Sequence, residues 1–207
     1  SENIVIKEYG KIISTNELDH LEIASEIDTD LASKLAGSRF SVLKGDMAKL
    51  QRSLISFMLD NAIKNGYQEY YVPFMANSES LTGTGQLPKF EEDLFKTSEK
   101  LYLIPTAEVP LTNLFRDEFV GEKELPIKVT SHTPCFRSEA GSYGKDTKGL
   151  IRQHQFEKIE LVQITHPDDS MKCLDILLSN ACEILDLLEL PYQVIELCTG
   201  DLGFSSA

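Results

Sequence analysis

The chain has 207 residues, of which 42% are hydrophobic, 26% charged and 8% aromatic, a composition typical of globular proteins. Its formal net charge of -13 disfavours binding of nucleic acid through bulk charge, because lysine and arginine supply much of the affinity for phosphate. No stretch approaches the roughly 20 consecutive apolar residues of a membrane-spanning helix, and the first residues lack the pattern of a secretory signal. We therefore expect no membrane partner.

The composition predicts a boundary near residue 35. Residues 1–35 mix short apolar alternation with Asn, Asp and Ser, and predict an extension with brief strands or turns and one short helix over 28–35. Residues 36–207 form the predicted main domain. The cysteines have no metal-ligand spacing, so we interpret them as reduced thiols and expect a cytoplasmic protein.

The first strong pattern is helical. Apolar residues at helical spacing predict a helix over 46–65, with Asp46 as its N-terminal cap and Gly66 as its stop. A strand over 70–74 follows and contains Pro73, which cannot donate a hydrogen bond within a sheet and so indicates an edge. Residues 77–95 have no clear period and predict a long loop that closes over a site.

The second half of the chain is richer in strand patterns. Strands are predicted over 101–105, 127–136, 151–164 and 192–197, and a helix over 169–188. Within 151–164, Phe156, Lys158, Glu160 and Val162 fall on one face of the predicted strand. Strands with interspersed helices and hairpin-like connections predict an α+β fold built on an antiparallel sheet.

The run CFRSEAGSYGKDTKGLIRQHQF, residues 135–156, carries chemistry suited to a nucleotide. Arg137 and Glu139 are two residues apart, so on a strand they project from the same face. A guanidinium binds phosphate oxygens in pairs, a carboxylate accepts from an adenine amino group, and Phe156 offers a surface for a base. For Arg137 and Glu139 alone, a cross-strand ion pair on a surface hairpin with a polar tip is the competing interpretation.

The longer run over 131–162 resembles the second signature motif of class II aminoacyl-tRNA synthetases, and most closely that of the seryl type. The segment PTAEVPLTN, residues 105–113, is similar to the serine-recognition loop of the same family. The resemblance implies that Arg137 is catalytic and acts on the α-phosphate of ATP. The implied ATP-binding residues are Arg137, Ser138, Glu139, Gln153 and Phe156. The implied serine-binding residues are Thr106, Ala107, Glu108, Arg137 and Glu160.

The resemblance also implies a reaction and partners. The serine carboxylate attacks the α-phosphorus of ATP, pyrophosphate leaves, and seryl-adenylate then transfers serine to the 3′ end of tRNA(Ser), with Mg²⁺ on the other phosphates. No protein nucleophile is needed, so His132 and His154 are expected to have structural or hydrogen-bonding roles rather than to act as bases. Residues 46–73 resemble the first class II motif, which implies a homodimer. The implied fold is a class II antiparallel sheet flanked by helices.

Two parts expected of the seryl family are not recognisable in the sequence. No sustained heptads before Asp46 resemble the tRNA-gripping coiled-coil arm, and the third class II motif is expected beyond residue 207. We therefore expect an incomplete fold at the carboxyl-terminal end, no metal ligands within this chain, and at most weak binding without catalysis by the chain alone. The alternatives are a paralogue that activates a small amino acid for a carrier protein, and a non-catalytic dimerising module.

Overall fold

The computed structural model describes residues 2–11, 18–141 and 149–203. The α-helices of these ranges, in chain order, are α1 (His20–Ile23), α2 (Thr29–Ala36), α3 (Gly45–Lys64), α4 (Ser78–Gly83), α5 (Glu108–Asn113) and α6 (Ser170–Leu187). The strands are β1 (Ile4–Tyr9), β2 (Ile27–Asp28), β3 (Val42–Leu43), β4 (Gln68–Glu69), β5 (Met75–Ala76), β6 (Tyr102–Leu103), β7 (Ile127–Phe136), β8 (Gln155–Ile164) and β9 (Tyr192–Glu196).

The chain divides into two compact units. One combines Ser1–Glu17 with Met171–Ala207, and the other is Leu18–Ser170. In the first unit β1 pairs antiparallel with β9, and the rings of Tyr9 and Tyr192 stack with their centroids 5.3 Å apart. This division differs from the boundary at residue 35 that the composition suggests. The separation into 1–35 and 36–207 stays a prediction.

The second unit is organised around a three-stranded sheet in the order β4, β7, β8. Strands β7 and β8 pair antiparallel along their whole length, from Ile127 opposite Ile164 to Phe136 opposite Gln155. β4 pairs parallel to β7, and short antiparallel ladders join β2 to β3 and β5 to β6. The long hairpin is therefore the frame from which the motif residues project.

Two apolar clusters hold this unit together. In the first, Val72, Ala107 and Leu111 pack against Val129 of β7. In the second, Leu81 of α4 and Val109 of α5 pack with Leu94 and Tyr102. Residues 105–111 contribute to both clusters, so burial of their apolar side chains anchors the neighbouring polar residues.

The predicted elements compare well with the structure where the periodicity is long. β7 has the predicted bounds, α2, α3 and α6 lie within one residue of theirs, and β8 and β9 fall inside the predicted ranges. The α+β class with an antiparallel hairpin is confirmed. On β8, Lys158 and Glu160 both reach Thr106, as their shared face requires.

Three local predictions are wrong. The N-cap of α3 is Lys44 rather than Asp46, and no side chain caps that end. No strand spans 70–74: the Tyr70 amide donates to the Thr130 carbonyl at 2.8 Å and the Phe74 carbonyl accepts from the Ile104 amide at 3.0 Å, but Pro73 between them has no N–H to donate. Residues 77–95 are not one loop, because Asn77 caps α4 by accepting from the Ser80 amide. Six-residue helices are too short to show a period.

Candidate functional site

A cavity of about 560 Å³ opens beside the end of the β7–β8 hairpin. Its lining includes three cationic side chains, Arg137, Arg152 and Lys158, and three acidic ones. The balance contrasts with the acidic chain as a whole, so the net charge of -13 does not describe this site. The complete lining is Gln86, Phe90, Asp93, Leu94, Pro105, Thr106, Glu108, Arg137, Glu139, Gly141, Arg152 and Lys158.

Arg137 is held from both its backbone and its side chain. It follows the last residue of β7, where its amide donates to the His154 carbonyl at 2.9 Å and its own carbonyl accepts from His154 Nδ1 at 2.9 Å. Its Nε donates to the Pro105 carbonyl at 3.3 Å, and its guanidinium lies over the Phe156 ring, 5.2 Å from the centroid. These contacts fix the orientation of the guanidinium, so its terminal nitrogens are held in place before a ligand binds.

Three of the five residues expected to bind serine, Thr106, Glu108 and Glu160, meet at the Thr106 hydroxyl group. Thr106 Oγ1 donates to Glu160 Oε2 at 2.8 Å and accepts from Lys158 Nζ at 2.7 Å. It also accepts from the Glu108 amide at 3.1 Å, and Lys158 Nζ lies 2.5 Å from Glu160 Oε2. We call Thr106, Glu108 and Glu160 the acceptor cluster. Because Arg137 bonds to Pro105, the cluster begins one residue away from a bound guanidinium.

The acceptor cluster also perturbs a carboxyl group. Burial raises the pKa of Glu108, and the negative charge of Glu160 raises it further. The positive charges of Lys158 and Arg137 act in the opposite direction. Perturbed carboxyl groups that face a cavity are frequent at binding sites, so this shift marks the same place as the geometry.

Glu139 reaches the cavity by a route that differs from the prediction. β7 ends at Phe136, and Glu139 has a left-handed backbone with φ of +54°, so the shared strand face of Arg137 and Glu139 is wrong. Both side chains nevertheless line the same cavity. Glu139 Oε2 accepts from Arg152 Nη1 at 2.7 Å, which holds a second guanidinium at the rim. Residues 142–148, within the run for which a polar hairpin tip is predicted, lie outside the described residues.

Ser138 connects the hairpin to the segment in front of it. Its hydroxyl donates to the Glu92 carbonyl and its amide donates to the Asp93 carbonyl at 2.9 Å. The Ala140 amide donates to Asp93 Oδ1 at 3.2 Å. Gln86, Phe90 and Asp93 of this segment line the cavity, which supports the prediction that residues 77–95 lie over a site.

Five predicted site residues do not line the cavity. Two of them, Ser138 and Glu160, are hydrogen-bonded to residues that do, Asp93 and Thr106. The other three are Ala107, Gln153 and Phe156. Ala107 is fully buried in the first apolar cluster. Gln153 and Phe156 line a second cavity of about 590 Å³ against α3, and the Gln153 Nε2 is buried with no hydrogen-bond partner among the described residues. Phe156 still touches the site, because Arg137 lies over its ring.

The two histidines of the hairpin have hydrogen-bonding partners. His132 Nε2 lies 2.6 Å from Glu157 Oε2, and His154 bonds to Arg137 as described. Within 2–11, 18–141 and 149–203, no group of three or more His, Cys, Asp or Glu side chains is arranged to hold a metal ion. No helix of those ranges is long and apolar enough to cross a bilayer.

Sequence reasoning missed two cations of the site. Lys158 is two residues from Glu160 on β8, so the two side chains lie on the same strand face. The strand alternation could therefore have predicted that Lys158 reaches the acceptor cluster. Arg152 precedes β8 by three residues, and its contact with Glu139 depends on the path of the intervening hairpin. No periodicity predicts that contact.

Comparison with known proteins agrees with this geometry. Curated relatives named serine–tRNA ligase include one from Hydrogenovibrio crunogenus, 59% identical over 220 aligned residues, which cover 100% of this chain and 51% of the relative. A second, from Hydrogenobaculum sp., is 55% identical over 213 residues, with 100% and 51% coverage. The chain spans about half the length of the curated relatives it matches.

Solved structures give the same result. The seryl-tRNA synthetase of Pyrococcus horikoshii complexed with ATP superposes with a TM-score of 0.93 at 34% identity, over 98% of this chain and 51% of that one. The cytoplasmic serine-tRNA ligase of Naegleria fowleri in complex with AMP gives 0.92 at 31% identity, over 97% and 50%. Residues 89–207 match the model of the tRNA synthetase class II core domain (G, H, P, S and T). The chain therefore belongs to the class II tRNA synthetase core-domain family.

Proposed function

We propose that this chain carries the ATP- and serine-binding part of a serine–tRNA ligase. The observation that carries the proposal is the hydrogen bond from Arg137 Nε to the Pro105 carbonyl, which places a phosphate-binding guanidinium beside the acceptor cluster. Activation of an amino acid requires the phosphate-binding group and the amino-acid site to be neighbours, because the substrate carboxylate must reach the α-phosphorus of ATP. The relatives named above favour a tRNA ligase over a carrier-protein ligase or a dimerising module.

The charged groups of the cavity suit ATP. Arg137 and Arg152 both line it, and paired N–H groups of a guanidinium match phosphate oxygens. Glu139 offers a carboxylate to an adenine amino group, and Ser138 holds the adjoining strand end in place. Phe156 would assist ATP binding by holding the Arg137 guanidinium over its ring rather than by stacking on the base. Gln153 would act from the second cavity, on the α3 side of the hairpin.

The acceptor cluster suits the ammonium and hydroxyl groups of serine. Glu108 and Glu160 supply acceptors, and Thr106 supplies a hydroxyl that is already aligned by three hydrogen bonds. Ala107 keeps the segment in the core, which fixes the position of its neighbours. A polar pocket of this kind rejects alanine, because polar groups stay unpaired when the substrate hydroxyl is missing.

The proposed reaction requires positioning and charge stabilisation. The serine carboxylate oxygen forms a bond to the α-phosphorus while the bond to the bridging oxygen of pyrophosphate breaks, and Arg137 stabilises the charge on the α-phosphate. Mg²⁺ bound by the ATP phosphates would supply positive charge for the departing pyrophosphate. In the whole protein the seryl group then passes to tRNA(Ser).

A calorimetric titration with a non-hydrolysable seryl-adenylate analogue tests the proposal. We expect a Kd of about 1–100 µM for the chain and a loss of roughly 100-fold in Arg137→Ala, since a paired, charge-assisted contact is removed. Arg116→Ala is the matched control, because Arg116 pairs with Glu79 and does not line the cavity. The alanyl analogue should bind roughly 100-fold more weakly than the seryl one. Equal affinity for both analogues would refute serine selectivity.

A homodimer formed through residues 46–73 is part of the proposal. Apolar side chains of α3, including Met47, Leu54 and Met58, line the second cavity, and Tyr71 is 88% exposed. An uncovered apolar surface of this kind supports a protein interface. Sedimentation analysis should give a dimer that Leu50→Glu dissociates. Leu35→Glu on α2, also exposed, should leave the mass unchanged.

We also propose a cytoplasmic location for the whole protein. Cys135, Cys173 and Cys182 are free thiols, which supports a reducing compartment. Fractionation of cells that express a tagged whole protein would test this, and recovery in a membrane or secreted fraction would contradict it.

A further inference from the structure

The cation that the structure places in the acceptor cluster is its own lysine. We propose that the Lys158 ammonium is a resident cation, which occupies the place of a substrate ammonium and makes the site select amino acids over simple amines. The inference rests on the proposed function for the identity of the amino acid. It does not rest on it for the behaviour of the lysine.

The first support is the saturation of the Thr106 hydroxyl group. A hydroxyl has one hydrogen to donate and two lone pairs that accept. Thr106 Oγ1 donates to Glu160 and accepts from both Lys158 and the Glu108 amide. A substrate ammonium therefore finds no vacant acceptor on this oxygen. It must displace Lys158 Nζ to bind there.

The second support is the balance of charge. Glu108 and Glu160 contribute two negative charges, and Lys158 and Arg137 contribute two positive charges that act on the Glu108 carboxyl. A zwitterionic amino acid keeps this balance, because its ammonium replaces Lys158 at the carboxylate while its own carboxylate pairs with a displaced or neighbouring cation. An amine without a carboxylate adds one positive charge beside Lys158 and has no compensating group.

The third support is the way β8 holds the lysine. Lys158 and Glu160 are two residues apart on one strand face, and their side chains are only 30% and 20% exposed. Partly buried pairs are screened less by salt than exposed ones, so the ammonium remains an effective competitor at physiological ionic strength. The backbone of the longest hairpin keeps it in reach of the cluster.

The test compares serine with ethanolamine, which retains the hydroxyl and the ammonium of serine but lacks its carboxylate. Titration of the full chain by calorimetry should show that Lys158→Met binds ethanolamine at least about 10-fold more tightly than the unaltered chain. The ratio of serine affinity to ethanolamine affinity should fall by a similar factor. Lys158→Arg, which retains the charge, should keep the original ratio.

Lys128→Met is the matched control. Lys128 lies on β7 of the same sheet, with Nζ 5.4 Å from the centroid of the Tyr67 ring, and it does not line the cavity. The substitution removes the same charge and should leave the ratio unchanged. Lys158→Gln provides a second neutral variant, so that a folding defect specific to methionine does not decide the result.

A pH profile separates a charge effect from a packing effect. Glu160 and Lys158 face Glu108 from β8, and Arg137 faces it from the end of β7. Loss of the Lys158 charge should raise the pKa of Glu108 further. As pH falls, protonation of Glu108 removes an acceptor for the ammonium, so Lys158→Met should lose ethanolamine binding at a higher pH than Lys158→Arg does. A merely structural lysine would change affinity without moving this midpoint.

The outcomes for Lys158 and for the proposed function are distinct. Unchanged or weaker ethanolamine binding in both folded neutral variants would overturn the resident-cation proposal, whatever happens with serine. Failure of the unaltered chain to prefer the seryl-adenylate analogue over the alanyl one would overturn the serine assignment. A gain in ethanolamine binding by Lys158→Met would then still support the role of the lysine.

Discussion

His154 and Arg137 are joined by two hydrogen bonds in opposite directions, from the Arg137 amide to the His154 carbonyl and from His154 Nδ1 to the Arg137 carbonyl, both 2.9 Å long. The backbone at the end of β7 is therefore locked to the residue that precedes β8. His154 does not line the cavity, but its ring holds the backbone of Arg137, whose side chain does line it.

His154→Ala should weaken binding of the seryl-adenylate analogue about 3- to 10-fold, since one hydrogen bond that orients Arg137 contributes roughly 0.5–1.5 kcal/mol. Calorimetric titration measures the change. His166→Ala is the control, because the His166 ring accepts from the Asp168 amide at the turn before α6 and does not line the cavity. Equal losses in the two variants would contradict a positioning role for His154.

Leu111→Ala should lower the free energy of unfolding by about 2–5 kcal/mol, because the side chain is fully buried in the first apolar cluster. Leu114→Ala, three residues further along the chain and 41% exposed, should cost less than about 1 kcal/mol. Urea unfolding of both variants measures the difference. Similar midpoints would show that the cluster around Val129 is not the core of this unit.

Gly149→Ala should destabilise the chain by about 1–3 kcal/mol, since φ is +74° and an added Cβ would lie 2.0 Å from His20 Nε2. That nitrogen accepts from the Leu150 amide at 2.9 Å, so the substitution also breaks this bond. Gly66→Ala, with φ of +85° and no atom within 4 Å of the added Cβ, isolates the backbone cost. Thermal unfolding measures both.

The steric part of the Gly149 effect has its own test. In the double variant His20→Ala with Gly149→Ala, the clash is absent, so the combined loss should be smaller than the sum of the single losses. Strict additivity would mean that the left-handed backbone alone accounts for the cost at Gly149.

Glu108→Gln should raise the melting temperature at pH 7. The pKa of Glu108 is raised in the folded chain, first by burial and then by Glu160, so the folded state favours the protonated form more strongly than the unfolded chain does. The stabilisation that protonated Glu108 gives to the folded state is fully present below the pKa of Glu108 in the unfolded chain, and it is lost as pH rises through the pKa of Glu108 in the folded chain. The gain from the neutral glutamine should therefore shrink as pH falls from 7 towards about 4.

Thermal unfolding between pH 4 and pH 8 measures this trend. Glu118→Gln removes an equal charge from an exposed side chain that does not line the cavity, and it controls for the change in net charge. A gain for Glu108→Gln that is constant with pH, or that grows on acidification, would be inconsistent with the raised pKa.

Long periodic patterns allowed the longest helices and strands of both units to be predicted. The ten residues of β7 alternate well enough to define both of its ends, and α3 and α6 contain several turns of apolar repeat. The strand predicted over 70–74 failed because Tyr70 and Val72 satisfy an apolar pattern that the backbone around Pro73 cannot continue as a sheet. α4 was missed because one buried leucine, Leu81, is too little to define a period.

The candidate site also has one part that the sequence predicts and one part that it does not. The sequence by itself determined the types of residue that are present: a guanidinium and carboxylates in a long hairpin, a Thr-Ala-Glu segment, and a face of β8 shared by Lys158 and Glu160. Local spacing is sufficient for these, because alternation along a strand depends only on neighbouring dihedral angles.

Only the tertiary structure decided which of those groups meet. Arg137 lies beside Pro105, and Thr106 lies between Lys158 and Glu160, because core packing brings segments more than 30 residues apart in sequence into contact. It also separated Gln153 from the cavity and brought Arg152 to Glu139. Such contacts depend on loop paths and burial of apolar side chains, which are properties of the whole fold and not of any local stretch.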